Sequence, residues 1–263
     1  MKRGAIVLFG LLLAAPAAAG FDQGWAAYQK GEFATALAEW KPLAEMGDAR
    51  AQFNLGVMYD QGRGVAEDQG QAAAWWARAA AQGYAPAMHN LGLAHLGGEG
   101  VVRDEATAKG WLERAAAAGY VRSTYSLGKM LEAGVGGAAD PAGAFRLVKL
   151  AAEQGLDRAQ YNLGKMYRDG DGTAPDPAAS VKWFAAAAAQ GHARAQAHLG
   201  RRLARGEGAP KDAVEALKWL TLAAGQGIAD AEVDRKALRS RLSAADIAEA
   251  ERRARAFKPE RSS

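Results

Sequence analysis

The chain of 263 residues contains no cysteine. Disulfides, thiolate-ligated zinc and a thiol nucleophile are therefore excluded, and even in an oxidising compartment the fold rests on packing alone. Histidine is scarce: His89, His95, His192 and His198 are the whole set. His89 and His95 stand six residues apart, about 240° round a helix, so they cannot share a metal as an i, i+4 pair would. Aromatic residues make up only 8%. Beyond the first residues no apolar run approaches the ~20 residues of a membrane-crossing helix. A surplus of one charge is missing too. Without Lys2 and Arg3, 31 basic side chains face 29 acidic ones, formally +2, so a global pull on nucleic acid is not indicated.

Glycine is abundant, at 32 residues, and it is placed with a strict period of 36. Leu-Gly recurs at Leu55-Gly56, Leu91-Gly92, Leu127-Gly128, Leu163-Gly164 and Leu199-Gly200. Spaced pairs recur at Gly62/Gly64, Gly98/Gly100, Gly134/Gly136, Gly170/Gly172 and Gly206/Gly208. Asp68, Asp104, Asp140, Asp176 and Asp212 follow, then a bulky residue at Trp75, Trp111, Leu147, Trp183 and Trp219, then a closing glycine from Gly83 to Gly227. Five repeats run 49–84, 85–120, 121–156, 157–192 and 193–228, and a fixed period of ~20–50 residues signals a solenoid.

Each repeat reads as helix, turn, helix. In the first, Ala51, Leu55, Met58 and Tyr59 form an apolar face over 49–61. A helix-interior glycine costs up to ~1 kcal/mol, so Gly56 and its images point to close approach of a partner helix. Gly62 and Gly64 end the first helix, and Asp68 caps the second. Ala72, Trp75, Trp76 and Ala79-Ala80 carry the second helix, with the residue at Trp75 and its images filling the gap between repeats. The third repeat departs most, with Leu131 for the tyrosine, Leu147 for the tryptophan and Val135-Gly136-Gly137-Ala138 in its loop, which makes it the expected weak point.

Residues Ala51, Leu55-Gly56, Tyr59, Gly62-Arg63-Gly64-Val65, Asp68, Ala72, Trp75, Ala79-Ala80 and Gly83, with their images, resemble the Sel-one-like repeat family, a longer-loop relative of the tetratricopeptide repeat. The resemblance covers about 21–242. It implies an all-α, α/α superhelical solenoid whose first helices line a concave, peptide-binding face, with no cofactor.

Outside the repeats, 1–19 read as a secretory signal peptide: Lys2-Arg3, the apolar run Ala5–Leu13, and Ala17-Ala18-Ala19 as the small-residue cleavage pattern. Periplasmic or secreted placement follows, with no membrane span after cleavage. Residues 20–48 read as a capping helix pair kinked at Pro42, 229–258 as C-terminal capping helices with Ser243 and Asp246 at a helix start, and 259–263 as a frayed tail.

Chemistry-bearing constellations are few. Ser126-Leu127-Gly128-Lys129 matches the S-x-x-K of penicillin-binding enzymes, but its ends are variants of repeat positions, and neither S-D-N nor K-T-G occurs. The spaced glycines lack the strand and the Lys-Ser/Thr of a phosphate loop. What remains is the outward face of the first helices: Arg50, Phe53, Asn54, His89, Asn90, Arg122, Tyr125, Lys129, Arg158, Tyr161, Asn162, Lys165, Arg194 and Arg201. Its cations, with Asp60, Glu132 and Asp169 only at helix ends, form a basic strip suited to an acidic protein or peptide partner. The expectation is a monomeric, non-enzymatic protein–protein interaction scaffold of the cell envelope; the alternatives are a β-lactamase-like or peptidoglycan hydrolase and a secreted effector acting on host proteins.

Overall fold

The structure is a computed structural model and describes residues 16–260. The expected signal peptide falls largely on 1–15 and there lies outside the described residues. Among the described residues there are fourteen α-helices and no strand.

The helices come in pairs at the 36-residue period. First helices are α3 (Ala49–Gln61), α5 (Ala85–Gly97), α7 (Val121–Ala133), α9 (Asp157–Asp169) and α11 (Ala193–Arg205). Second helices are α4 (Gln69–Ala81), α6 (Glu105–Ala117), α8 (Pro141–Glu153), α10 (Pro177–Ala189) and α12 (Ala213–Gly225). Before them stand α1 (Pro16–Gln29) and α2 (Phe33–Glu45); after them, α13 (Ala229–Arg239) and α14 (Ala244–Ala256). The fold is thus an all-α solenoid of helix pairs. It divides into two compact parts between Ala118 and Gly119, each described by itself.

Local chemistry explains the helix ends. Gly62, Gly98, Gly134, Gly170 and Gly206 close the first helices in the left-handed conformation. Asp68, Asp104, Asp140, Asp176 and Asp212 each accept backbone N–H groups of the second helices' first turn. The third repeat follows the same path: Gly134 closes α7 and Asp140 N–H donates to Leu131 O at 2.9 Å, as Asp176 does to Tyr167 O at 2.8 Å. Its sequence departures therefore leave the local backbone unchanged. The second glycine of the loop has a tertiary reason in the second, fourth and fifth repeats. A Cβ on Gly172 would lie 2.0 Å from Pro141 O, and one on Gly100 would lie 2.0 Å from Gln69 O, because the loop meets the first turn of the preceding repeat's second helix backbone to backbone.

The helix-interior glycines do admit a close partner. A Cβ on Gly56 would meet the Trp76 ring at 2.4 Å, and one on Gly164 the Phe184 ring at 2.8 Å. Leu112 and Leu220 face Gly92 and Gly200 in the same way, and Val148 faces Gly128. The inter-helix filler is thus the residue after the repeated tryptophan position. Phe184 is 0% exposed, whereas Trp183 is half-buried at the edge of the core made by α8 and α9. The tryptophans lie beside a cation: Arg78 over Trp75 at 4.4 Å, Arg114 over Trp111 at 4.3 Å, Lys218 over Trp219 at 3.9 Å.

A buried polar latch joins successive pairs. Gln196 Nε2 donates to Ala188 O at 3.2 Å, while its Oε1 accepts from Gln226 Nε2 at 2.8 Å. Gln160 does the same with Ala152 O and Gln190, and Gln52 with Ala44 O and Gln82. In the second repeat both partners are replaced together, by Met88 and Ala118. Paired loss is the cheap way to lose such a bond, since removing the outer glutamine alone leaves the oxygen of the buried inner one unsatisfied.

At the ends, α2 continues through Pro42 to Glu45. The carbonyl left without its donor belongs to Ala38, an exposed residue, where water can serve it. Helix α13 ends at Arg239, earlier than the apolar pattern to Leu242 suggests. Ser243 caps α14 through Asp246 N–H at 3.1 Å. The start of the expected frayed tail is docked: Phe257 meets the Trp219 ring edge-on at 5.4 Å, Pro259 lies against Gly191, and Glu260 N–H donates to Ala189 O at 2.9 Å.

Candidate binding site on the first helices

The outward residues of the first helices do not form one continuous basic strip. In the N-terminal part, Arg50 pairs with Asp48 at 3.1 Å and lies over the Phe21 ring at 4.1 Å. Phe53 packs edge-on against Tyr84 at 5.5 Å, Asn54 and Asn90 are half-buried, and His89 is 7% exposed. His89 is thus a core side chain rather than a surface one, because α5 turns that position towards its packed neighbours.

In the C-terminal part, ion pairs neutralise both ends of the strip. Lys129 Nζ is 2.6 Å from Glu132, which also commits the lysine of the Ser126–Lys129 motif to a carboxylate. Arg201 pairs with Asp234 and lies 3.7 Å from Asp230. Both acids sit on α13, in the next helix pair along the chain. Arg122 is exposed at the outer edge.

Between those pairs lies a hollow of about 500 Å³ lined by residues from α7, α9 and α11 and by Ile228. Arg158, Lys165 and Arg194 line it, and no carboxylate stands within ion-pair distance of any of the three among the described residues. Tyr125, Tyr161, Asn162 and His192 complete the wall. Asn162 Nδ2 donates to Tyr125 Oη and, at 2.9 Å, to Arg158 O. Its amide hydrogens are therefore spent internally, leaving Oδ1 and the Tyr125 hydroxyl hydrogen to a ligand. Burial pushes the Tyr125 hydroxyl above its ordinary pKa, so it remains a donor at neutral pH.

His192, counted in the sequence only among the four histidines, is central here. Its ring stacks on Tyr161 at 4.5 Å and 22°. It caps α11, Nδ1 accepting from Ala195 N–H at 3.2 Å. A backbone N–H can only donate, so the neutral ring carries its proton on Nε2. Burial, and then Arg158 and Arg194, hold its pKa below the ordinary value, so the ring is neutral at pH 7. His198 lies deeper, stacked on Phe184 at 5.0 Å, with its pKa pushed down to about 4 by burial and by Arg168, Arg201 and Arg202. Glu132 and then Asp157, at the start of α9, are the carboxylates that act on Tyr125, and Asp157 also acts on His192. His192, Ile228 and Asp157 were legible only as repeat positions: His192 and Ile228 are the 36-residue images of Tyr84, whose ring packs on Phe53. Among the described residues no cluster of side chains could hold a metal ion.

A tandem array of 36-residue helix pairs, with a ligand-sized hollow on its first helices, defines an α-solenoid of the repeat-scaffold class. The Sel1 repeat model matches the chain five times, at 49–84, 85–120, 121–156, 157–192 and 193–228, and the chain belongs to that family. Sel1 repeat proteins generally act as non-catalytic protein–protein interaction scaffolds. The chain is similar to a Sel1 repeat protein from Oxalobacter formigenes: TM-score 0.73, 26% identity, covering 93% of this chain and 98% of the other. It is also similar to c5321, a protective antigen of uropathogenic Escherichia coli with an SLR fold, at TM-score 0.57 and 28% identity, covering 91% of this chain and 61% of that one. The immunity protein Pa5087 from Pseudomonas aeruginosa, at 18% identity and TM-score 0.55 over 81% of this chain and 83% of its own, shares the fold. No curated protein matches at a significant level.

Proposed function

We propose that the chain is an exported scaffold of the cell envelope that holds an acidic segment of a partner protein against the first helices of its C-terminal part. The observation that carries this reading is the hollow in which Arg158, Lys165 and Arg194 stand without carboxylate partners, while Arg50, Lys129 and Arg201 are paired. Cations without partners in a recess focus the field and attract the opposite sign. The aromatic wall adds area at small entropic cost. Export is supported by Lys2-Arg3, the apolar run and Ala17-Ala18-Ala19; no helix among the described residues is long and apolar enough to cross a membrane.

The test is to reverse Arg158 and Arg194 together to Glu. Capture of the partner from envelope extract by wild type should be lost in the variant, with helical signal and melting unchanged. Added salt should weaken wild-type capture, since exposed charges are screened beyond about 8–10 Å. Capture that survives both the reversal and high salt refutes the reading.

A further inference from the structure

The cations are confined to one recess rather than spread along the array, and this narrows the ligand. An extended run of acidic side chains calls for a basic strip over several repeats. Here the strip is interrupted on both sides, by Glu132 on Lys129 and by Asp234 and Asp230 on Arg201. Three cations without an ion pair remain, from two successive first helices; Asp157 is a nearby acid, and Asp169, which acts on Lys165, is itself paired with Arg168. The surplus is two positive charges at one place.

Two hydrogen-bond donors line the same hollow. The Tyr125 hydroxyl hydrogen is free because that oxygen accepts from Asn162, and the His192 ring carries its proton on Nε2 because Nδ1 is held by Ala195 N–H. Ile228 and the Tyr161 ring supply an apolar shelf in the same hollow. We propose that the hollow receives the free C-terminus of a partner chain: the terminal carboxylate between Arg158 and Arg194, an acidic side chain from the last few residues on Lys165, and an apolar stem on Tyr161 and Ile228. A terminal carboxylate brings its charge to one point without needing charges on either side, and arginine grips it through two parallel hydrogen bonds. Asn162 Oδ1 is placed to accept from a backbone N–H of the same segment. This inference rests on the acidic-partner reading above and sharpens it.

Three bead-bound pools of random octapeptides test it against the full chain: free C-terminal carboxylate, C-terminal amide, and head-to-tail cyclic. The free-acid pool should retain at least tenfold more protein than the other two, with Asp or Glu enriched in the last three positions of the retained sequences. Arg158→Gln with Arg194→Gln should abolish that retention, while Arg50→Gln should not; both variants change exposed side chains, and unchanged melting confirms their folding. Equal retention by all three pools, still lost in the double variant, overturns the C-terminal assignment and leaves the acidic-partner reading standing. Retention indifferent to the double variant overturns both. Retention by none of the pools overturns the C-terminal assignment, with partner capture then deciding the broader reading. Displacement of the bound peptide by inorganic phosphate well below the acetate concentration needed would assign the hollow to a phosphoryl group instead.

Discussion

Replacing Phe184 with Ala removes the side chain that joins α9, α10 and α11. Phe184 is fully buried, with Gly164 beneath its ring and His198 stacked on it at 5.0 Å and 11°. Phe→Ala in a core costs about 3–5 kcal/mol, the higher values arising where the site cannot collapse. Gly164 has no side chain to move into the gap, so the expected cost is about 4–5 kcal/mol. Trp183→Ala next to it should cost less, about 2 kcal/mol, because that ring is half in water before the change and its area counts only in part. Urea midpoints of the two variants give the comparison. Amide exchange should show protection lost through α9 to α12, since each helix pair of a solenoid leans on its neighbours. A Trp183→Ala cost equal to or above that of Phe184→Ala, or a protection loss confined to α10, would refute the assignment of the inter-helix core to the residue after the tryptophan.

The remaining predictions concern His198 and the glutamine latch. With a folded pKa of about 4 against 6.5 for the free side chain, His198 is neutral in the fold, and the unfolded chain binds the extra proton between those values. Stability should be whole above pH 6.5 and fall as the pH drops towards 4, by roughly 1–3 kcal/mol after allowing for partial exposure. His198→Asn, the residue that Asn54, Asn90 and Asn162 place at the equivalent position, should flatten melting temperature against pH over that window; an unchanged slope counts against the origin in His198. Gln226→Ala should cost about 1–3 kcal/mol in chemical denaturation by leaving the amide oxygen of the fully buried Gln196 without its partner. Adding Gln196→Met to Gln226→Ala, the pair the second repeat carries, should recover most of that loss; a double variant no better than Gln226→Ala would argue against the latch.

Much of the fold was legible in the chain alone. The 36-residue period set the number of repeats. The paired glycines and the aspartates marked helix ends, because termination and capping act within about four residues and depend on residue type more than on neighbours. Which adjacent side chain enters the core was not legible. Trp183 and Phe184 are both large and apolar and about 100° apart on the helix, and only the position of Gly164 on another helix selects Phe184. The basic residues of the first helices were legible as a list, but not as a site. Whether a cation is open to a ligand depends on where distant acids fall: Asp234 reaches Arg201 from α13, whereas no described acid comes within ion-pair distance of Arg158, Lys165 or Arg194. His192 shows the same limit. The sequence by itself determined that it starts a helix; the tertiary structure decided that its ring stacks on Tyr161, gives Nδ1 to the cap and keeps its proton on Nε2. Local rules operate over a turn of helix, while charge neutralisation and ring stacking operate across repeats, where only the packed arrangement determines which groups meet.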